Sequence, residues 1–211
     1  MPAPALSDLV GPGHTALVLQ EVQQGVMGSE SVLPQLADAA RASGATANIV
    51  RLAAAARAAS VPVIHCTAET LRGAGGGAFG ANHNARLFAG VAAAGAPRST
   101  SSAPIPEVGP EPGDLILPRY HGLSPLTGTQ LDSVLRNEGI TTIVVVGVSL
   151  NVAIPNLVFD AVNRAYQVVV VRDAVAGVPE TYGPQILDNT LALVSTLAIT
   201  DAVVTAWADR A

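Results

Sequence analysis

The sequence predicts an α/β fold built around a parallel sheet, and three observations carry this prediction. Short runs of β-branched residues alternate with longer segments rich in alanine and leucine, as strands and helices do in α/β proteins. The strand-like runs are apolar throughout, which is typical of strands that helices cover on both faces. The chain has 211 residues, of which 49% are hydrophobic and 13% charged, which suits one domain with a sizeable core.

Six short segments carry the strand pattern. The first, TALVLQEV, reads as an apolar stretch up to Gln20. Because parallel strands need long crossover connections, helices are expected between successive strands. In order, the six segments are Thr15–Val22, Val61–Cys66, Asp114–Leu117, Thr141–Gly147, Gln167–Val171 and, more weakly, Ala202–Ala206.

Four intervening segments carry the helical pattern. In the first of them Ile49, Leu52 and Ala56 recur at helical spacing. Gly139 is expected to follow the end of the second helix, and Asn151 is expected to cap the start of the third. The predicted helices are Ala45–Ala59, Thr129–Glu138, Val152–Ala165 and Pro184–Ala198.

Two further segments lack both patterns. Residues 67–83 are rich in glycine and residues 96–113 are rich in proline. Strands follow each of them, so we interpret them as surface excursions rather than linkers between domains. The sequence therefore predicts a single domain over residues 1–211, with about the first 13 residues as an N-terminal extension.

Composition and the N-terminal sequence argue against several classes of partner and of cellular location. The net charge of -5 argues against a nucleic-acid-binding surface. No window reaches the roughly 18 apolar residues that a membrane span needs, so no membrane partner is expected. The N-terminal sequence MPAPALSDLVGPGHTA lacks the basic start and apolar run of a secretory signal. We therefore expect a cytoplasmic protein whose partner is a small molecule.

Residue usage also limits the chemistry. All eleven basic residues are arginine, which excludes a lysine general base or Schiff base. The single cysteine, Cys66, excludes an internal disulfide and a multi-cysteine metal site. The four histidines lack the spacing of metal ligands. We expect neither a metal nor any other cofactor.

Ligands of open parallel sheets bind beyond the carboxyl ends of the strands, so the residues that follow each strand are the candidate site. Glu21 follows the first strand. A carboxylate at this edge can serve as a general acid or base. The structural alternative is a glutamate that merely pairs with an arginine or caps a loop.

Arg119 follows the third strand and is the natural partner of Glu21. Its guanidinium stays protonated, so it holds a carboxylate rather than transferring a proton. That carboxylate is either Glu21 or an acid group of the substrate, and an ordinary loop arginine is the alternative. His121 lies beside it and reaches the same crevice unless it is simply exposed.

The fourth strand leads into a turn at Gly147–Ile154 that opens a helix. Backbone N–H groups at such a turn bind anions or a developing oxyanion. On the second strand, His65 and Cys66 are adjacent and point to opposite faces, so they cannot form a Cys–His pair. A small buried hydrophobe is the favoured interpretation of Cys66.

Three segments together resemble the isochorismatase-like, or cysteine hydrolase, superfamily. They are HTALVLQEVQQGVMG, VPVIHCTAE and TGTQLDSVLRNEGITTIVVVGVSLNVAIPNLVFDAVNRAYQVVVVRDAVAG. The resemblance runs from about His14 to the final helix. It implies a three-layer Rossmann-like α/β fold, with a mostly parallel six-stranded sheet, helices on both faces, and assembly as a homodimer or homotetramer.

The resemblance also implies an activity. Members of the family hydrolyse amides such as nicotinamide or N-carbamoyl compounds through an Asp–Lys–Cys triad, or cleave the vinyl ether of isochorismate. The members that cleave isochorismate lack the cysteine and use the acidic residue to protonate the ether. The family's aspartate falls on Glu21, with the glutamine of its D-x-Q motif retained as Gln23.

The other two triad positions also differ. The family's lysine falls on Arg119 if one residue is inserted in the loop, or on Tyr120 if none is. Its cysteine falls on Ala153, whose methyl group cannot attack a carbonyl. The resemblance implies an oxyanion hole made by the N–H groups of Ser149 and Ala153, with a cis peptide bond before Ser149. We therefore assign Glu21, Arg119 and Ala153 to the catalytic site. Substrate or oxyanion binding is assigned to Gln23, Tyr120, His121, Ser149 and Asn151.

Three functional hypotheses follow. The first is a non-thiol hydrolase of a small anionic molecule, with Glu21 as acid and base and Arg119 as an anion clamp. The second is a small-molecule binding protein of the same fold that has lost catalysis, since all three triad positions are altered. The third, ranked last, is a structural subunit of an oligomer. The sequence favours the first hypothesis.

Overall fold

A six-stranded sheet in which all strands are parallel lies at the centre of the protein. The computed structural model describes residues 4–29, 31–69, 71–72, 78–79 and 102–210. The strands of the sheet are β1 (Thr15–Gln20), β2 (Val63–Ala68), β5 (Leu115–Arg119), β6 (Thr142–Val148), β7 (Gln167–Ala176) and β8 (Thr196–Ala198). Their order across the sheet is β5-β2-β1-β6-β7-β8. A separate antiparallel pair joins β3 (Leu71–Arg72) and β4 (Ala78–Phe79).

Helices cover both faces of this sheet and enclose one apolar core on each side. Ile49 and Trp207 belong to one core, and Leu131 and Ile154 belong to the other. This arrangement confirms the predicted three-layer α/β fold. The described helices are α1 (Leu6–Leu9), α2 (Gln24–Met27), α3 (Pro34–Ala42), α4 (Ala45–Ala58), α5 (Leu131–Asn137), α6 (Ala153–Asn163), α7 (Tyr182–Asn189) and α8 (Thr200–Ala208).

The prediction for the C-terminal region is wrong in two places. The helix predicted over Pro184–Ala198 ends at Asn189, and the sixth strand is Thr196–Ala198, which pairs with β7. Residues Ala202–Ala206, predicted as a strand, lie within helix α8. The cause is tertiary: both the N–H and the hydroxyl of Thr200 donate to Asp173 Oδ1 at 2.9 Å, which satisfies donors at the start of α8.

The start of α6 also differs from the prediction. Val152, not Asn151, is the N-cap, and no side chain caps the helix. Asn151 instead bonds to the backbone of Val178, donating to its carbonyl at 2.6 Å and accepting from its N–H at 2.9 Å. By contrast, Gly139 follows α5 with a φ of 69°, as expected of the residue after a helix.

The sheet places its strand order reversal between β1 and β6, because β2 and β5 lie on one side of β1 and β6 to β8 on the other. In such sheets the crevice at the carboxyl ends of the strands is the ligand site. Of the two predicted surface excursions, residues 70, 73–77 and 80–83 of the first and residues 96–101 of the second lie outside the described residues. None of the helices in the described ranges combines the length and the apolar character that a membrane span requires.

Candidate active site

An ion pair between Glu21 and Arg119 lies at the carboxyl edge of the sheet. Glu21 is the first residue after β1, and Arg119 is the last residue of β5. Arg119 Nη2 donates to Glu21 Oε1 at 2.7 Å. The Arg119 side chain is 3% exposed and the Glu21 side chain is 17% exposed. Arg119 Nε donates to the carbonyl of Gly122 at 3.0 Å. Of the two residues onto which the family's lysine could fall, Arg119 therefore contacts Glu21, whereas Tyr120 is exposed.

Gln20 is a third member of this group, and no role was predicted for it from the sequence. Its Nε2 donates to the same oxygen of Glu21, Oε1, at 3.0 Å, and the residue is completely buried. The signal that identifies such a residue is a carboxamide at the end of an otherwise apolar buried strand. Its contact with Glu21 depends on the backbone of Glu21, which has a φ of 53°.

Cys66 lies beside this group, since it pairs in register with Gln20. Burial raises the pKa of the Cys66 thiol to about 12, an effect that the nearby positive charge of Arg119 opposes and the negative charge of Glu21 reinforces. At neutral pH the side chain is a neutral thiol that packs in the core with Ile64 and Leu117. This agrees with its interpretation as a small buried hydrophobe.

The turn after β6 presents two backbone donors at the same edge. The peptide bond between Val148 and Ser149 is cis, as the family resemblance implies. The Ser149 carbonyl accepts from the N–H groups of Val152 and Ile154, at 3.3 and 3.0 Å. Within the described part of the chain, the N–H groups of Ser149 and Ala153 donate to no acceptor. Two donors at the start of α6 are thus available to a developing negative charge.

Two of the residues assigned to substrate binding hold backbone segments in the structure. The Gln23 carboxamide donates to the Ala68 carbonyl at 2.9 Å and accepts from the Ala68 N–H at 2.7 Å. Gln23 also forms an antiparallel bridge with Pro104. The Asn151 carboxamide is similarly engaged by Val178. Both carboxamides therefore bind neighbouring backbone segments.

A second buried polar cluster lies on the opposite face of β2. His65 Nε2 and Asp114 Oδ2 are 3.0 Å apart, and Arg57 Nη2 donates to the same oxygen at 2.6 Å. Burial lowers the pKa of His65, against the raising effect of Asp114. Arg57 also donates to the Val108 carbonyl, so the cluster ties the segment before β5 to α4.

Two of the cavities lined by described residues can be placed in the fold, and neither of these two is lined by Glu21, Arg119 or Ala153. One, of about 440 Å³, lies between Met27, Arg41 and Ile105. The other, of about 300 Å³, lies between Leu150, Gly177 and Leu187. No three histidine, cysteine or acidic side chains among the residues that the structure describes come together as metal ligands.

Comparison with known proteins identifies the family. The family model described as "Isochorismatase domain" matches residues 15–200. The chain belongs to the isochorismatase family. Among relatives of this isochorismatase-family protein is ureidoacrylate amidohydrolase RutB of Rhizobium rhizogenes, which is 33% identical over 180 residues, covering 77% of this chain and 70% of that protein. RutB of Agrobacterium fabrum is 32% identical over 180 residues, covering 77% of this chain and 76% of that protein.

The match to other relatives is shorter. With RutB of Methylobacterium radiotolerans the identity is 42% over 67 residues, and the chain covers only 25% of that protein's length. The same match covers 31% of this chain.

Solved structures share the fold over nearly the whole chain. A cysteine hydrolase from Pseudomonas syringae pv. phaseolicola has a TM-score of 0.77 at 24% identity, with 100% of both chains covered. An isochorismatase family protein from Burkholderia thailandensis has a TM-score of 0.71 at 27% identity, covering 94% of this chain and 97% of the other. N-carbamoylsarcosine amidase from Thermoplasma acidophilum has a TM-score of 0.68 at 22% identity, covering 89% and 97%.

Proposed function

We propose that this isochorismatase-family protein hydrolyses a small anionic ureido compound or amide without a thiol nucleophile and without a cofactor. Glu21 acts as general base and then as general acid, and Arg119 holds its carboxylate. The N–H groups of Ser149 and Ala153 form the oxyanion hole. The observation that carries the proposal is the Glu21–Arg119 pair, at the same sheet edge as two backbone donors that have no acceptor in the described chain.

In the proposed reaction Glu21 accepts a proton from a water molecule as the water oxygen attacks the carbonyl carbon of the substrate. The electrons of the C=O bond move to its oxygen, which the two N–H groups stabilise. The tetrahedral intermediate then collapses and the C–N bond breaks. Glu21 returns the proton to the leaving nitrogen, so the enzyme ends in its starting state.

Ala153 has a different role from the cysteine with which the family resemblance aligns it. A methyl group has no lone pair, so no acyl-enzyme forms on it. Its contribution is the N–H group at the first residue of α6. Cys66 does not replace the missing nucleophile, because its thiol is fully buried and has a pKa of about 12.

The names of the RutB relatives support the substrate class. They are called ureidoacrylate amidohydrolases, and ureidoacrylate carries both a ureido group and a carboxylate. The carboxylate that Arg119 clamps in the structure is Glu21. We therefore assign contact with the substrate's acid group to Tyr120 and His121, the exposed residues that follow Arg119.

We also propose the arrangement that the family resemblance implies: one domain over residues 1–211, working in the cytoplasm as a homodimer or homotetramer. About the first 13 residues would be an extension of that domain. Light scattering on the purified protein measures the assembly, and a monomer at micromolar concentration would contradict it.

The direct test is turnover of ureidoacrylate and a panel of other ureido acids and amides, followed by ammonia release and mass spectrometry of the products. We expect Glu21→Gln to lower kcat/KM by about 10²- to 10⁴-fold, because the general acid and base is lost. The matched control is Glu138→Gln, an exposed glutamate beyond α5, which should leave kcat/KM unchanged. Wild-type turnover by Glu21→Gln would overturn the mechanism.

A binding protein that has lost catalysis is the second candidate. It is favoured by the alanine at position 153 and by the engagement of Arg119, whose Nη2 donates to Glu21 and whose Nε donates to the Gly122 carbonyl. This candidate predicts that ureidoacrylate raises the melting temperature of the wild-type protein without forming product. Any conversion that depends on Glu21 excludes it.

A further inference from the structure

We propose that Gln20 is a positioning residue for Glu21: together with Arg119 it holds Oε1, so that Oε2 is the oxygen that exchanges protons with water and substrate. The inference rests on the proposed function, in which Glu21 is the general acid and base. Gln20 itself does not touch the substrate, because it is completely buried.

The first step of the argument is the backbone. Adjacent side chains of a strand point to opposite faces, so Gln20 and Glu21 would not meet in a regular strand. Glu21 has a φ of 53°, which few residues other than glycine adopt. This backbone turn brings Glu21 Oε1 within 3.0 Å of Gln20 Nε2. Unusual backbone conformations of this kind are concentrated at functional sites.

The second step is convergence on one oxygen. Gln20 Nε2 and Arg119 Nη2 both donate to Oε1, at 3.0 and 2.7 Å. No donor among the described residues bonds Oε2, although the Glu21 side chain is 17% exposed. Two donors fixed in the protein leave the carboxylate little freedom to exchange its oxygens. Oε2 is therefore the carboxylate oxygen that keeps no bond to the described residues.

The third step is the cost of this arrangement to the fold. The carboxamide oxygen of Gln20 is buried and has no partner, and the same holds for Nη1 of Arg119. Buried polar atoms without hydrogen bonds destabilise a protein. An apolar side chain of the same length would avoid that penalty at position 20. The contact with Glu21 is therefore the benefit that Gln20 provides, and it is a benefit to the site rather than to stability.

The strand on the other side also restrains Gln20. Gly147 of β6 pairs in register with Gln20, and a Cβ atom at Gly147 would lie 2.2 Å from the Gln20 carbonyl oxygen. Backbone atoms leave no room for any side chain at that position. The close approach keeps the backbone of Gln20 in place, so its side chain starts from a fixed point beside Glu21.

The test is Gln20→Met, which keeps the length of the side chain and removes the donor. We expect kcat toward the substrate identified in the panel to fall by about 10- to 100-fold with KM nearly unchanged, because Glu21 is misplaced. The melting temperature should stay the same or rise. The matched control is Thr15→Val, since Thr15 begins the same strand and its buried hydroxyl likewise has no partner. Thr15→Val should alter stability only.

A second variant separates positioning from packing. Gln20→Glu has the same shape, but its carboxyl group donates to Glu21 only while protonated. Its activity relative to the wild type should therefore decline as pH rises and the new carboxyl ionises, whereas a packing defect would lower activity equally at every pH. A pH-independent ratio would overturn the inference.

The outcomes distinguish this inference from the proposed function. Wild-type kcat and KM in Gln20→Met, together with inactive Glu21→Gln, would overturn the role of Gln20 and leave the proposed function intact. If the wild-type protein converts no compound of the panel, the proposed function fails. A crystal structure of Gln20→Met then decides the positioning claim: we expect the Glu21 carboxylate to rotate relative to Arg119, and an unchanged carboxylate would overturn the claim.

Discussion

Arg119 and Glu21 form an ion pair across the end of β2, a strand that contains neither residue. Arg119 ends β5 and Glu21 follows β1, while β2 lies between these two strands. Neighbouring strands are about 4.8 Å apart, so the pair spans about 10 Å of sheet. Only a long side chain reaches that far. The side chain of Arg119 does, and its Nη2 donates to Glu21 Oε1 at 2.7 Å. The ion pair connects the ends of β5 and β1 at the edge where the candidate site lies.

The first prediction concerns this pair. Arg119→Met should lower the free energy of unfolding by about 2 kcal/mol, because it leaves a partly buried carboxylate without its cation. Turnover should be lost as well, since Glu21 is no longer held. Urea denaturation measures the first effect. Arg51→Met is the control, because Arg51 and Asp201 form an exposed pair whose loss should cost less than about 1 kcal/mol. Equal effects of the two variants would contradict the prediction.

The second prediction concerns Cys66. Its thiol has a pKa of about 12, so only about one in ten thousand thiols is ionised at pH 8. Iodoacetamide should therefore leave Cys66 unmodified in the folded protein and alkylate it in urea, as read by mass spectrometry. Leu193→Cys supplies the control, since Leu193 is 79% exposed and a thiol there should react in the folded protein. Rapid alkylation of native Cys66 would show that the thiol is accessible and ionisable.

The third prediction is a pH dependence of stability. The pKa of His65 is lowered from 6.5 in the folded protein, so the unfolded chain binds this proton at a higher pH. Below about pH 6.5 unfolding takes up a proton, and the free energy of unfolding falls as the pH falls. His65→Gln should remove this part of the acid destabilisation. Denaturation curves at pH 7.5 and 5.5 measure it, with exposed His121→Gln as the control. An unchanged difference between the two pH values in His65→Gln would contradict the assignment.

The fourth prediction concerns the last helix. Asp173→Ala should lower the free energy of unfolding by about 1 kcal/mol, because the N–H and hydroxyl of Thr200 lose their acceptor. Thermal or urea denaturation measures this change. Asp188→Ala is a suitable comparison, since Asp188 forms only an exposed ion pair with Arg172. If both variants are equally stable, Asp173 does not stabilise the start of α8.

The central strands were predictable because burial on both faces leaves a plain signal, an unbroken apolar run. The residues that follow those strands were predictable as site candidates because parallel strands share one carboxyl edge. The C-terminal region was not predictable on the same grounds. The sequence pattern of Ala202–Ala206 predicts a weak strand, whereas in the structure this segment lies in helix α8. The hydrogen bond from Thr200 to Asp173 of β7, at the start of that helix, is a tertiary contact that the local pattern does not contain.

The sequence by itself determined the α/β layers, the family, and the presence of an acid and a cation at one edge of the sheet. Only the tertiary structure decided that Arg119 rather than Tyr120 contacts Glu21, and that Gln20 donates to the same carboxylate oxygen. The physical reason is that residue periodicity encodes which face is buried. Contacts between side chains of different strands depend on register, and the contact of Gln20 depends on one unusual dihedral angle at Glu21.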